Sequence, residues 1–392
     1  MPGRHFLQIP GPSNVPLRVL KAMDRPVINH RGIEFAGMTQ ALFPRLKEIF
    51  KTVEGTPIVF PSSGSGAWES SLINTLSPGD RVLAFVIGEF SRGYAQTAEK
   101  HGFDVERVEL EWGATIPPAL LKEKLKADSG HAIKAVLTIH NETSTGVTPD
   151  IGALREAMDR AGHPALLLVD TVSGLGCADF RFDEWGVDVA VTCSQKGLLL
   201  PPGLGLLCVS KKALAAREQA TSHRHYFDWG PMLDKNPDGY FPYTPATNML
   251  HGLREATDML LEEGLEHVFA RHKRMGEGVR RAVRAWGLEV LAEAPEVESN
   301  VLTTVKLPEG IDGDALLEVS ERDADLSLGN GLGPLKGRVF RIGHLGDMND
   351  LEVLATLAGT EMVLKKMGVT LDFGSGVAAC QQWFLDHPQP SP

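Results

Sequence analysis

Two ionisable residues stand where the surrounding sequence offers them little water. The segment "VTCSQKGLLLPPGLG" (191–205) carries Lys196 just beyond the apolar run of Val187, Val189, Ala190 and Val191. Asp170, 26 residues earlier, ends the apolar run "ALLLVD" (165–170). A desolvated lysine binds its proton less tightly, and its neutral amine is a nucleophile and a base. A desolvated carboxylate needs a positive partner or several donors. Each also has a plainer reading, with Lys196 reaching out to solvent and Asp170 bonding nearby loop amides. A third segment, "SSGSGAWES" (62–70), places Gly64 and Gly66 in a turn that opens a helix. The first amides of a helix attract an anion such as phosphate, although Ser is also an ordinary N-cap. The segment has neither the Gly-Lys-Ser/Thr of a Walker loop nor a GxGxxG fingerprint. Taken together, the three features suit pyridoxal phosphate. Its aldehyde needs a lysine, its pyridine nitrogen needs a carboxylate to stay protonated, and its phosphate needs backbone donors. Arg341, in "RVFRIGHLG" (338–346), sits among apolar neighbours. A buried guanidinium needs an anion, which would be a substrate carboxylate gripped through two parallel bonds or an internal salt-bridge partner.

Positioning these groups requires a sheet. Short apolar runs at 56–60, 81–86, 104–110, 135–140, 165–170, 187–192 and 203–209 read as strands, and helical patterns such as "IGALREAMDRAG" (151–162) lie between them. This alternation predicts an α/β domain with a mostly parallel seven-stranded sheet covered by helices. Polar residues follow several of the runs, including "NETSTG" (141–146), and ligands bind outside the carboxyl ends of such strands. After about residue 250 the pattern changes. Residues 253–287 are helix-rich, with Gly264 and Gly276 as interruptions. A strand (301–307), a helix (313–322), a Gly-rich loop "LGNGLGPLKG" (328–337), a strand (338–343) and a helix (350–367) follow. The expected layout is an N-terminal arm (1–20), a large cofactor-binding domain (21–265) and a smaller C-terminal α+β domain (266–392).

Composition narrows the class. The formal net charge of −11 disfavours binding to nucleic acid or anionic membrane by bulk attraction. The four cysteines (Cys177, Cys193, Cys208, Cys380) form no CxxC pair and lie at no metal-ligand spacing. That argues against a disulfide framework or a metal site and suits a reducing compartment. No signal peptide, membrane span or sorting tail is apparent, so a cytoplasmic protein is expected, with "DHPQPSP" at the C-terminus frayed.

The segments "IPGPSNVP", "SGSGAWE", "LSPGDRVL", "HNETSTGV", "LLLVDTVSGLG", "SQKGLLLPPGLG", "YTPAT", "EEGLEHVFARH" and "VFRIGHLG" occur in an order that resembles the class-V aminotransferases of fold type I. The branch is that of alanine–glyoxylate and serine–glyoxylate aminotransferases, and the resemblance covers nearly the whole chain. It implies a fold-type-I pyridoxal-phosphate transferase acting as a homodimer with active sites shared across the subunit interface. By position it makes Lys196 the lysine that bonds the cofactor and Asp170 the partner of the pyridine nitrogen. Ser65, Gly66 and Ala67 match the phosphate turn, and Gln195 a further phosphate contact. Thr143 lies near the phenolic oxygen, Val172 under the ring, and Phe90 on its face, where relatives often carry Trp. Thr244 matches a phosphate contact given by the partner subunit. Phe241 occupies a position where some relatives have a tyrosine, next to Tyr240 and Tyr243. Arg341 matches the clamp on the substrate α-carboxylate. The implied reaction moves an amino group from a small L-amino acid to glyoxylate, with serine as the first choice of donor and aspartate as the second. For aspartate, Arg31 in "INHRGIEF" (28–35) and Arg224 in "TSHRHYFDWGP" (221–231) are candidate partners of the second carboxylate. Other readings of the same features are a desulfurase or related lyase, which needs a cysteine on a mobile loop, and a non-catalytic binder of a phosphorylated ligand.

Overall fold

The apolar runs of the first half pair as one sheet. The structure, a computed structural model, describes residues 3–389. Its strands are β1 (Phe6–Gln8), β2 (Thr56–Pro61), β3 (Arg81–Val86), β4 (Asp104–Glu109), β5 (Ile133–Ile139), β6 (Leu166–Asp170), β7 (Val189–Cys193), β8 (Leu204–Val209), β9 (Glu289–Val290), β10 (Leu302–Lys306), β11 (Leu326–Asn330) and β12 (Val339–Gly343). Seven of them form a sheet in the order β2-β8-β7-β6-β5-β3-β4. Only β8 runs against its neighbours; the other pairs are parallel. Strands β6, β7 and β8 are buried throughout, as expected for a sheet covered on both faces. The edge strand β4 is instead charged and half-exposed, which blunts edge pairing.

The second sheet has the order β1-β11-β12-β10-β9. Residues 6–8, within the expected N-terminal arm, are a strand of this sheet and pair in parallel with β11. The Gly-rich segment expected to be a loop from 328 is strand as far as Asn330. Pairing of β11 with β1 and β12 overrides its poor local propensity, and Gly329 has a packing reason: a Cβ there would lie 2.6 Å from Pro10 Cδ.

Of the two expected helix interruptions, one is real. Gly264 (φ +82°) separates the helices Thr247–Glu263 and Leu265–Ala285. Gly276 lies inside the second helix, where a Cβ would come within 2.9 Å of the His344 ring. That helix joins two cores: Val268 packs in the large one around the first sheet, and Met275, Val279 and Val283 pack in the smaller one. A helix not foreseen, Ser375–Asp386, packs Cys380 and Phe384 against it. Of the expected frayed C-terminus, His387 stacks on Trp383, and residues 390–392 lie outside the described residues.

Candidate active site

A cavity of about 340 Å³ opens where the carboxyl ends of the large sheet meet the second sheet. Pro10, Gly11, Phe90, Thr143, Lys196 and Arg341 line it. A larger groove of about 1240 Å³ lies elsewhere, between residues 110–114 and the edge formed by β9 and β10. Its lysine, Lys306, is already paired with Glu289.

Lys196 follows β7 directly, and its amine donates to the carbonyl of Pro10. Burial, aided by the Arg341 charge, pushes its pKa down to about 8. An appreciable fraction is therefore neutral amine near neutral pH. Asp170 ends β6 and is 2% exposed. Oδ1 accepts from the Val172 amide (2.7 Å) and Oδ2 from the Trp68 indole (2.9 Å). Burial raises its pKa to about 7, against these two donors.

The turn after β2 is shaped by contacts that only glycine permits. A Cβ on Gly66 would lie 2.0 Å from Ser62 Oγ, and one on Gly64 would lie 2.9 Å from Val172 Cγ2. Ser63 caps the helix Gly64–Thr75 through the Gly66 amide. Ser65 is exposed and Ala67 buried. The opening amides of a helix have no partner within it, so this end offers donors to an anion.

Thr143 is buried and its hydroxyl bonds Ser173 Oγ at 2.7 Å. Phe90 lies in the first turn of the helix Glu89–Lys100. That helix is held by Glu142, whose carboxylate accepts from Phe90 N, Ser91 N and Oγ, and Ser144 N and Oγ. Arg341, on β12, donates from Nε to Asn330 O (2.7 Å) and from Nη1 to Thr143 O (2.8 Å). Burial lowers its pKa to about 10, so it stays cationic at neutral pH. The two carbonyls fix the guanidinium and leave donors for an anion in the cavity.

Of the expected residues, Phe90, Thr143, Lys196 and Arg341 line this cavity, whereas Ser65, Gly66, Ala67, Asp170, Val172 and Gln195 do not, and Thr244, Arg31 and Arg224 are placed elsewhere. Thr244 lies at its own chain's surface, 3.5 Å from His30 Nε2. Arg31 is exposed, and among the described residues its guanidinium makes no hydrogen bond or ion pair. Arg224 donates to the carbonyls of Ile73, Ala220 and Arg217 and lies 3.5 Å from Asp228, so its charge serves the 217–228 segment. Phe241 is buried edge-on against Phe35, while Tyr243 stacks on Tyr226 near the surface.

Sequence reasoning missed three contributors. The loop Ile9–Gly11 covers Lys196, and a Cβ on Gly11 (φ +106°) would lie 2.3 Å from its amine. The motif "IPGPSNVP" marks this loop but not its place. Glu142 sits in the quoted "NETSTG" but resembles a solvated acid, and Trp68 reads as a core aromatic.

These groups fit pyridoxal phosphate. Glycine keeps the space beside the Lys196 amine open, and the Asp170 carboxylate keeps free lone pairs for a ring N–H. Comparison with known proteins agrees. Residues 5–331 match the family described as aminotransferase class-V. The chain is 49% identical to a serine–glyoxylate aminotransferase of Methylorubrum extorquens, over 99% of this chain and 98% of that one. It is 45% identical to an L-aspartate–glyoxylate aminotransferase of Paracoccus denitrificans, over 98% and 97%. The crystal structure of a ureidoglycine–glyoxylate aminotransferase from Bacillus subtilis superposes with a TM-score of 0.90 at 28% identity, covering 98% of this chain and 99% of that one. A lysine and a carboxylate at adjacent strand ends, in a chain matched over nearly its whole length, make this protein a member of the class-V aminotransferases, a pyridoxal-phosphate-dependent transaminase.

Proposed function

We propose that the protein transfers the amino group of a small L-amino acid, serine first, to glyoxylate, giving glycine and a 2-oxo acid. The observation that carries this reading is that the Lys196 amine and the Arg341 guanidinium line one cavity, with the buried Asp170 carboxylate at the end of the strand next to the one that Lys196 follows. The names of the serine–glyoxylate relatives supply the substrates. When bound, pyridoxal phosphate supplies an aldehyde that takes up the amino group and a ring that withdraws electrons.

The chain's residues do the rest. Ser65, Gly66, Ala67 and Gln195 hold the phosphate. Val172 and Phe90 would pack on the ring, Thr143 would bond its phenolic oxygen, and Asp170 would keep the pyridine nitrogen protonated. Arg341 binds the α-carboxylate of the donor and then the carboxylate of glyoxylate, so one clamp serves both substrates. Lys196 would hold the cofactor through its aldehyde. Once displaced by the donor's amino group, its Nζ accepts the proton of the donor's α-carbon, and burial suits it to that by lowering its pKa.

The protein acts as a homodimer in this reading, with Thr244 given to the neighbouring copy's site. Support comes from the surface that carries it: Val27 (77% exposed), Ile33 (89% exposed) and Tyr226 lie open in the single chain. A cytoplasmic setting agrees with four free, buried cysteines. The same cysteines disfavour a desulfurase, since burial pushes Cys177, Cys193 and Cys380 up to about 12.

Aspartate is the second reading for the donor, favoured by the Paracoccus relative and by the unengaged Arg31. The test is a donor screen by kcat/KM with glyoxylate as acceptor, together with holoenzyme mixed with each donor alone. Serine should lead and should discharge the aldehyde-form absorbance without acceptor. No spectral change with serine, aspartate or alanine would contradict transamination of small amino acids. If aspartate leads, Arg31→Ala should lower kcat/KM for aspartate and leave serine nearly unchanged.

A further inference from the structure

Asp170 is a buried carboxylate that forms no ion pair among the described residues. Its two bonds are to N–H donors, one from its own loop (Val172) and one from a distant side chain, Trp68. Trp68 lies in the second turn of the helix Gly64–Thr75, the helix that opens with the phosphate turn. It is 8% exposed and stacks on Tyr94 with ring centroids 5.5 Å apart and planes 17° from parallel. Tyr94, from the helix Glu89–Lys100, is itself tied through its hydroxyl to Ser71 at 2.6 Å. The indole is thus clamped between two helices, and its one donor points at Oδ2. A carboxylate offers about four lone-pair sites, so two remain for another partner.

We propose that Trp68 is a positioning residue whose indole N–H fixes the Asp170 carboxylate and keeps it anionic, so that the proton of the pair rests on the pyridine nitrogen. The proposal builds on the role given to Asp170 above. Two forces act on this carboxylate. Burial favours taking up a proton and becoming neutral, whereas donors favour the charged form. The pKa of about 7 shows how close the balance is. Without the indole the carboxylate becomes the stronger base and draws the proton off the nitrogen. A buried Trp also seeks an acceptor simply to satisfy its N–H, so the test must separate that structural need from control of the proton.

The experiment is ¹⁵N NMR of the holoenzyme loaded with pyridoxal phosphate labelled at the pyridine nitrogen. Wild type should show a protonated nitrogen at neutral pH. Trp68→Phe, which keeps a ring in the stack, should move the resonance toward the unprotonated value and raise the proton affinity of Asp170 by about one pH unit. Tyr94→Phe removes a buried hydrogen bond from the same stack without touching Asp170, and should leave the resonance in place. An unchanged resonance in Trp68→Phe, or an equal shift in both variants, would overturn the proposal. Asp170→Asn separates the two levels. If it moves the resonance and Trp68→Phe does not, only the role of Trp68 fails; if Asp170→Asn does not move it either, the assignment of Asp170 fails. Should Trp68→Phe not fold, the wild-type indole N–H spectrum decides. Of the six indoles, those of Trp68 and Trp286 donate to buried carboxylates and should resonate downfield, and one of these two should return upfield in Asp170→Asn; six unmoved resonances would overturn the proposal.

Discussion

Replacing Arg341 with lysine keeps the positive charge and removes the planar fork. In the native site Nε and Nη1 are spent on Asn330 O (2.7 Å) and Thr143 O (2.8 Å), which aims the rest of the guanidinium into the cavity. A lysine ammonium reaches the same region as a point charge and cannot hold both carbonyls while making two parallel bonds to a carboxylate. Losing one charge-assisted hydrogen bond costs about 1.5–3 kcal/mol, equivalent to about 10- to 160-fold in kcat/KM. Serine and glyoxylate each carry one α-carboxylate, so both should lose affinity by a similar factor. Steady-state kinetics with each substrate varied at fixed levels of the other measures the two losses separately. A loss confined to one substrate, or under about threefold for both, would refute the single shared clamp. Melting should also shift down, because the carbonyls of Asn330 and Thr143 lose their donors, and circular dichroism would separate that effect from binding.

Asp170→Asn should flatten part of the pH dependence of apoprotein stability. The folded pKa of Asp170, about 7, lies above its ordinary 3.8, so the native apoprotein holds a proton that the unfolded chain releases. That contribution is full below about pH 4 and is lost as the pH rises through about 7. Denaturant titrations should therefore show wild type losing up to about 4 kcal/mol more than the variant over that range; parallel curves would contradict it. Reloading of apoenzyme with pyridoxal phosphate should quicken about tenfold per pH unit up to about 8 and then level off, since only neutral Lys196 attacks the aldehyde. A pH-independent rate, followed by absorbance, would count against the lowered pKa.

The site was legible where residue type and place carry a local signal. Lys196 and Asp170 each end an apolar run, and a charge at such a place is costly enough to require a reason. The Gly-Ser turn and the places of the seven strands along the chain also carry local signals, whereas their order in the sheet does not. The unread parts depend on contacts between distant segments. β1 is three residues long and finds its partner, β11, some 320 positions away, so nothing local announces that Gly11 will cover Lys196. β11 itself looks like a loop because two of its five residues are Gly and Asn, and pairing overrides them. Gly276 looks like a helix break although it is there to admit His344. Glu142 is a buried carboxylate satisfied by five hydrogen bonds and, among the described residues, no salt bridge, an arrangement that sequence does not distinguish from a solvated acid.

The central claim is that Lys196 is the residue to which pyridoxal phosphate is attached. Reducing the holoenzyme with borohydride makes that bond permanent, and proteolysis followed by mass spectrometry locates it. The peptide containing residues 194–198 should carry one pyridoxyl group, on Lys196, and reduction in the presence of excess donor amino acid should leave that peptide unmodified. A pyridoxyl group on any other lysine, or none on a yellow protein, would contradict the account.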